Sequence, residues 1–246
     1  MLKLFRSLAL LIALTGLTAA ASADDKSLSE AEVEAIVKDY LLKHPEVIVE
    51  ALQLYQERQE QAEAERARHM LQASRDRLDD PTGAFVFGNP DGDVTIVEFF
   101  DYRCSYCKRV MPTLLDEVQR DGNVRLVFKE FPVLGEDSVR AARAGIAAAR
   151  QGRYYDMHLA LMQSRGQLPE EKLVAMAADL GLDVAQFRAD MKSRATDDEI
   201  ATNYELAQAL NFRGTPSFVI GNELVPGAID ARQFRALIEK ARQENG

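Results

Sequence analysis

Apolar residues are spaced in two different ways along this chain, and the change of spacing divides it. In "SEAEVEAIVKDYLLKHPEVIVEALQLYQERQ" they recur at helical intervals, Val33, Ile36, Val37, Tyr40 and Leu41 forming one stripe and Ile48, Leu52 and Tyr55 a second, with Pro45 opening the second helix. "EQAEAERARHMLQASRDRLDD" then continues as a charged helix with few core positions. Further on, "VTIVEFFD" (94–101) is β-branched and aromatic, follows the turn-like "GNPDGD", and reads as a buried strand. Val110, Met111, Leu114, Leu115 and Val118 return to helical spacing, and "VRLVFKEFP" (124–132) reads as the next strand. Between it and a late hairpin pattern, "SFVIG" and "LVPG", lie more than eighty residues of helical segments. Pro169 suits a first turn, Asp183 a cap and Thr196 with Glu199 a capping box, while Gly152, Gly166 and Gly181 end segments.

Composition changes this picture in two places. The 246 residues carry 47% hydrophobic positions, enough to bury a sizeable core, and a net charge of -9 that becomes more negative once the first 23 residues, with Lys3 and Arg6, are removed. So acidic a chain is poorly suited to gripping phosphate backbones, and no nucleic-acid partner is expected. The N-terminus, "MLKLFRSLALLIALTGLTAAASADDK", has a short basic region, an apolar stretch from Leu8 to Leu17 and the small-residue site Ala21-Ser22-Ala23. It reads as a secretory signal over 1–23, cleaved after Ala23, because the apolar run falls short of the ~20 residues that span a bilayer. Its short, Ala-rich form looks bacterial, which points to the oxidising periplasm.

Export sharpens the candidate chemistry. The two cysteines, Cys104 and Cys107, stand three positions apart. A bridge between them closes too short a loop to stabilise the fold appreciably. Structural zinc wants about four ligands, whereas His44, His69 and His158 are scattered singly, so no metal site is expected. Redox chemistry remains. The pair lies at a strand-to-helix junction, where Cys104 occupies the first turn and the free N–H groups and helix dipole favour a thiolate. Arg103, Lys108 and Arg109 add local positive charge. Cys104 is therefore the expected nucleophile and Cys107 the resolving thiol.

These residues resemble a known family. "CSYCKRVMPTLLDE" is similar to the C-x-x-C-K-x-x-x-P-x-L-D-E stretch of thioredoxins, and "EFFDYRCSYC" is similar to the DsbA family of exported thiol oxidoreductases. "RGTPSFVIGNELVPG" resembles the Thr-cisPro segment that opens the thioredoxin-fold hairpin, at Thr215 and Pro216. The resemblance implies an α/β thioredoxin fold over 81–246, with an inserted helical subdomain at about 136–212. It further implies a buried acidic proton relay, placed here at Glu98, with Lys129 on the following strand as a pairing partner; surface charges at strand ends are the alternative for both. Tyr102 and Tyr106 are expected, with Thr215, on a peptide-facing surface, unless the tyrosines serve packing. Ser105-Tyr106 departs from the Pro-His of strong oxidants and implies a less oxidising pair, nearer the isomerases. Residues 24–80 resemble the oligomerising arms of DsbC-like isomerases and suppressor-of-copper-sensitivity C proteins, which implies a homo-dimer or homo-trimer; a helical arm folded onto its own catalytic domain is the alternative. The expected function is thiol-disulfide exchange on misfolded or reduced exported proteins, isomerase or reductase before oxidase, with a membrane thiol-redox partner and no cofactor beyond the dithiol. Binding of Cu(I) by the two thiolates is the reading from another class.

Overall fold

The structure is a computed structural model and describes residues 28–79 and 85–245. The expected signal segment lies outside the described residues. The chain divides into two compact units, the boundary falling between Arg58 and Gln59.

In the first unit, α1 (Glu30–Lys43) begins at a complete capping box: the Ser29 hydroxyl accepts from the Glu32 N–H, and the Glu32 carboxylate accepts the Ser29 N–H at 2.9 Å. It stops at His44 because a residue preceding proline is pushed away from helical backbone angles. The first turns of α2 (Glu46–Asp79) follow. No residue of α1 is buried, and Ile36, Tyr40 and Leu52 are each more than half exposed.

The second unit opens with the rest of α2. Its charged sequence reads as poor in core positions, yet Leu71 and Leu78, seven residues apart on one helical face, are almost completely buried. Five strands follow: β1 (Phe85–Gly88), β2 (Val94–Phe100), β3 (Val124–Glu130), β4 (Ser217–Ile220) and β5 (Glu223–Pro226), in the order β1-β3-β2-β4-β5. Only β2 and β3 run parallel, which requires a crossover, and α3 (Ser105–Asp121) supplies it. That helix ends where Gly122 takes a left-handed conformation and donates its N–H to the Val118 carbonyl.

Between β3 and β4 come five helices, α4 (Glu136–Ala149), α5 (Tyr154–Gln163), α6 (Glu170–Asp179), α7 (Val184–Met191) and α8 (Arg194–Ala209), and α9 (Ala231–Asn245) closes the chain. The expected α/β arrangement with an inserted helical subdomain and an N-terminal helical region is present. β2 is central and covered on both faces, so its sequence runs apolar without clean alternation. Ile96 and Phe100 share one cluster with Leu114 of α3 and Phe234 of α9. Val97 and Phe99 share the other with Leu71, Leu78 and Leu206. Each fully buried side chain of this size contributes roughly 1.5–3 kcal/mol.

Candidate active site

The turn after β2 positions the cysteines. Asp101 is buried, and its carboxylate accepts the Arg103 N–H at 2.7 Å and those of Val133 and Leu134 at 2.9 and 3.0 Å, joining this turn to the one after β3. Its carbonyl accepts the Cys104 N–H at 3.0 Å. Cys104 is thereby held as the N-cap of α3, its sulfur accepting the Cys107 N–H at 3.4 Å. Asp101 is a functional residue that the sequence reading passed over, although an acidic residue two positions before a turn N–H is the ordinary signal of such a motif.

The two sulfurs, both free thiols, differ sharply. Cys104 is lowered to about 5, first by the Cys107 thiol donating to it, then by hydrogen bonding from Thr215 and from the backbone of Cys107 and Tyr106. Cys107 is wholly buried and pushed far up by that burial, by the same thiol–thiol hydrogen bond and by the nearby Glu98 charge. The cations expected to activate Cys104 do something else. Arg103 pairs with Asp137 at 3.3 Å, Lys108 donates to the Ser164 carbonyl, and Arg109 lies over the Tyr106 ring at 4.4 Å. Hydrogen bonds, not these charges, hold the thiolate.

Opposite the cysteines, the Thr215-Pro216 peptide bond is cis, and the Cys104 sulfur lies 3.2 Å from the Thr215 carbonyl, to which its thiol form donates. Pro216 and Thr215 therefore stand beside the nucleophile. Glu98 lies on β2 with its side chain fully buried, and neither oxygen has a hydrogen-bond partner. Burial, then the Cys104 charge, push it up to about 8. It is coupled to both sulfurs.

Two expectations are corrected. Lys129 does not pair with Glu98: the β2–β3 register sets Glu98 beside Phe128 and Phe99 beside Lys129, so the two charged residues project from opposite faces of the sheet. Lys129 instead donates to the Arg77 carbonyl at 3.4 Å, on the α2 side. Tyr102 is not on a peptide-facing surface. It is 1% exposed, packs edge-on against Phe100, and donates its hydroxyl to Glu130 at 2.9 Å. Tyr106, at 58% exposure, does face solvent beside the cysteines.

Tyr102 belongs to a buried polar cluster absent from the sequence reading. Glu130 also accepts from the Tyr154 hydroxyl at 3.0 Å, and His158 Nδ1 lies 3.3 Å from the Tyr102 hydroxyl. Burial pushes Glu130 well above the usual carboxylate range and lowers His158 to about 3, favouring the uncharged form of each. Gly145 backs the cluster, for a Cβ there would come within 2.7 Å of both Glu130 and the Tyr102 hydroxyl. Nothing in the largely apolar run of β3 or the helical pattern of α5 announces this long-range assembly.

Comparison with known proteins places the geometry. The DSBA-like thioredoxin domain family matches residues 95–239, and the copper resistance protein ScsC N-terminal domain family matches residues 30–62. A thioredoxin-like oxidoreductase from Silicibacter pomeroyi DSS-3 is 46% identical with a TM-score of 0.66, over 69% of this chain and 98% of that one. The thiol-disulfide exchange protein alpha-DsbA2 from Wolbachia pipientis is 26% identical with a TM-score of 0.67, over 73% and 97%. A probable disulfide bond formation protein D from Bacillus anthracis is 29% identical over 157 residues, 58% of this chain and 72% of the relative. The chain spans about a quarter, 26%, of the Na(+)/H(+) antiporter NhaA of Herminiimonas arsenicoxydans, to which it is 32% identical over 165 residues. With its capped, low-pKa Cys104, its buried Cys107 and the Thr215-Pro216 segment across from them, the chain belongs to the DSBA-like thioredoxin domain family of thiol-disulfide oxidoreductases.

Proposed function

We propose that the protein is an exported, periplasmic disulfide isomerase or reductase acting on proteins with wrong or unwanted bridges. The observation that carries this is the asymmetry of the dithiol, one sulfur poised as a thiolate and the other held as a buried thiol. The Cys104 thiolate attacks one sulfur of a client disulfide; that S–S bond breaks, a mixed disulfide forms, and the departing client sulfur takes up a proton. Cys107 then gives its proton to the ionised form of Glu98 and attacks the Cys104 sulfur; the Cys104–client S–S bond breaks, the departing client thiolate is protonated from water, and the Cys104–Cys107 disulfide forms. In isomerisation a second client thiolate displaces Cys104 first, and the enzyme returns unchanged. Reductase turnover needs a membrane thiol-redox partner to return both electrons.

The segment before the catalytic unit supports isomerisation. Its exposed Val33, Ile36, Tyr40, Ile48, Leu52 and Tyr55 are costly to leave in water, and packing them between subunits gives a homo-dimer or homo-trimer. Several dithiols around one client raise the local thiolate concentration. A periplasmic thioredoxin-like protein from Salmonella enterica serovar Typhimurium, to which the chain is 28% identical with a TM-score of 0.61 over 69% of this chain and 95% of that one, supports the compartment; among the described residues no helix is long and apolar enough to cross a membrane.

Reactivation of scrambled ribonuclease by the reduced protein tests the proposal. Rapid oxidation of reduced ribonuclease by a monomer, with no reactivation of the scrambled form, assigns the dithiol-oxidase role instead. The description of the arm's family as a copper resistance protein favours a second reading, Cu(I) held by the thiolates. Copper titration of the reduced protein against Cys104→Ser separates the two.

A further inference from the structure

A groove of about 620 Å³ begins at Ser105, next to the nucleophile, and runs between the first turns of α3 and the segment joining α5 to α6. Its floor is apolar, with Met111, Pro112, Met162 and Leu168. Its walls carry Arg103, Lys108 and Arg165. Lys172 stands close enough that its charge, with those of Arg103 and Arg165, lowers the pKa of Lys108, after the effect of burial and against the opposing charge of Asp101.

The carboxylates nearby do not neutralise this cluster. Asp137 pairs with Arg103 at 3.3 Å and also with Arg140, and Glu136 pairs with Arg140 at 3.4 Å, so two acids answer two arginines. Lys108 donates to the Ser164 carbonyl, and Lys172 to the carbonyls of Arg165 and Gln167 at 2.9 and 3.4 Å, all neutral acceptors. Among the described residues no carboxylate forms an ion pair with Lys108, Arg165 or Lys172. A chain of net charge -9 thus gathers three cations, Lys108, Arg165 and Lys172, that make no ion pair with a carboxylate among the described residues, at the mouth of its reactive sulfur.

We infer that this groove binds acidic polypeptide, so that clients whose cysteine is flanked by Asp or Glu are the preferred substrates. The inference rests on the thiol-disulfide reading above and names the substrate class of that same site. An extended client lays its backbone beside Thr215 and carries its acidic side chains past Ser105 into the groove, where its methylenes cover the methionines and its carboxylates meet Lys108, Arg165 and Lys172. The exchange is unchanged: the client S–S bond breaks, the Cys104 mixed disulfide forms, and the departing thiolate is protonated. Charge in a narrow cleft acts mainly on encounter and orientation.

The test uses the full-length reduced protein and three short peptides. Each has one central cysteine carried as a mixed disulfide with 2-mercaptoethanol, flanked by Glu, Gln or Lys. Reduction rates are normalised to the rate of each peptide with free dithiothreitol, which removes differences in intrinsic reactivity. The Glu peptide is expected to exceed the Lys peptide on the order of tenfold at low salt. The ratio falls toward one at roughly 0.5 M salt, where screening is complete within a few ångströms. Arg165→Glu lowers the same ratio at low salt; as a ratio within one sample, it does not depend on the folded fraction. Equal normalised rates for the three peptides, or a preference indifferent to both salt and Arg165→Glu, overturn the inference while leaving thiol-disulfide exchange standing. Failure to reduce even the Gln peptide overturns the oxidoreductase reading, and the inference with it.

Discussion

Replacing Glu98 by Gln isolates the cost of ionising a buried carboxyl that holds its proton to higher pH in the folded protein than in the unfolded chain. The side chain is fully buried on β2 without a hydrogen-bond partner, and burial followed by the Cys104 charge raises its pKa from 4.5 to about 8. Between those values the folded protein holds a proton that the unfolded chain has released. The stability from this group is therefore complete below pH 4.5 and is lost as pH rises, the loss ending once pH passes the folded value of about 8. At ~1.4 kcal/mol per pH unit, the loss reaches ~3 kcal/mol near pH 7 and ~5 kcal/mol above pH 8. Gln has no proton to lose. The stability of Glu98→Gln minus that of the parent should then climb by ~3 kcal/mol from about pH 4.5 to about pH 7. Urea unfolding of the reduced proteins across this range, extrapolated to water, measures the difference, from which the titration of Cys104 largely cancels. A flat difference curve would show that Glu98 ionises alike in both states, and would remove it as the acceptor of the Cys107 proton.

Four further outcomes follow from the site, the buried cluster and the arm. Cys107→Ala removes the leading cause of the low Cys104 pKa, and since a hydrogen bond to a charged group contributes ~1.5–3 kcal/mol, the midpoint of alkylation against pH should rise by ~1–2 units. Cys107→Ser retains a donor and should stay near 5, so coincident titration of the two variants would discard the thiol hydrogen bond as the cause. Cys107→Ala should also accumulate mixed disulfides with clients on non-reducing gels, Cys104→Ala none; trapping through Cys107 would reverse the assigned roles. Gly145→Ala drives a methyl against Glu130 and the Tyr102 hydroxyl and should cost ~1–3 kcal/mol in thermal or urea unfolding, an unchanged stability arguing that the cluster is loosely packed. Ile36→Asp with Leu52→Asp should lower the assembled mass seen by light scattering and reduce reactivation of scrambled ribonuclease while Cys104 alkylates at its usual rate; an unaltered mass counts against assembly through these stripes.

Much of the catalytic centre was legible because its signals are local. "VTIVEFFD" reads as a strand and β2 is Val94–Phe100; the cysteines sit at the strand-to-helix junction as their spacing requires; Thr215-Pro216 comes to the nucleophile. What failed depends on pairing across the chain. The residues of β3 are buried on both faces, so "VRLVFKE" does not reveal which face Lys129 takes, and only the register with β2 puts it away from Glu98. Tyr102 looks like a surface aromatic beside an active site until Glu130, Tyr154 and His158 arrive from β3 and α5 to satisfy its hydroxyl. Leu71 and Leu78 are two apolar residues in a charged run, too sparse to mark a buried face before the sheet is known. The short β1 likewise gains its identity from β3.

The insertion of α4 to α8 between β3 and β4 separates two kinds of inheritance. Apart from the Thr215-Pro216 segment, the chemistry is written in one unbroken run of ten residues, from Glu98 to Cys107, whereas Ser164, Arg165 and Leu168 of the groove come from the inserted helices and their connections. Substitutions in the 163–172 stretch can therefore redirect which clients reach the sulfur while the thiolate and its buried proton acceptor stay as they are. A lineage can retarget such an enzyme by drift in one exposed connection, without passing through an inactive ancestor.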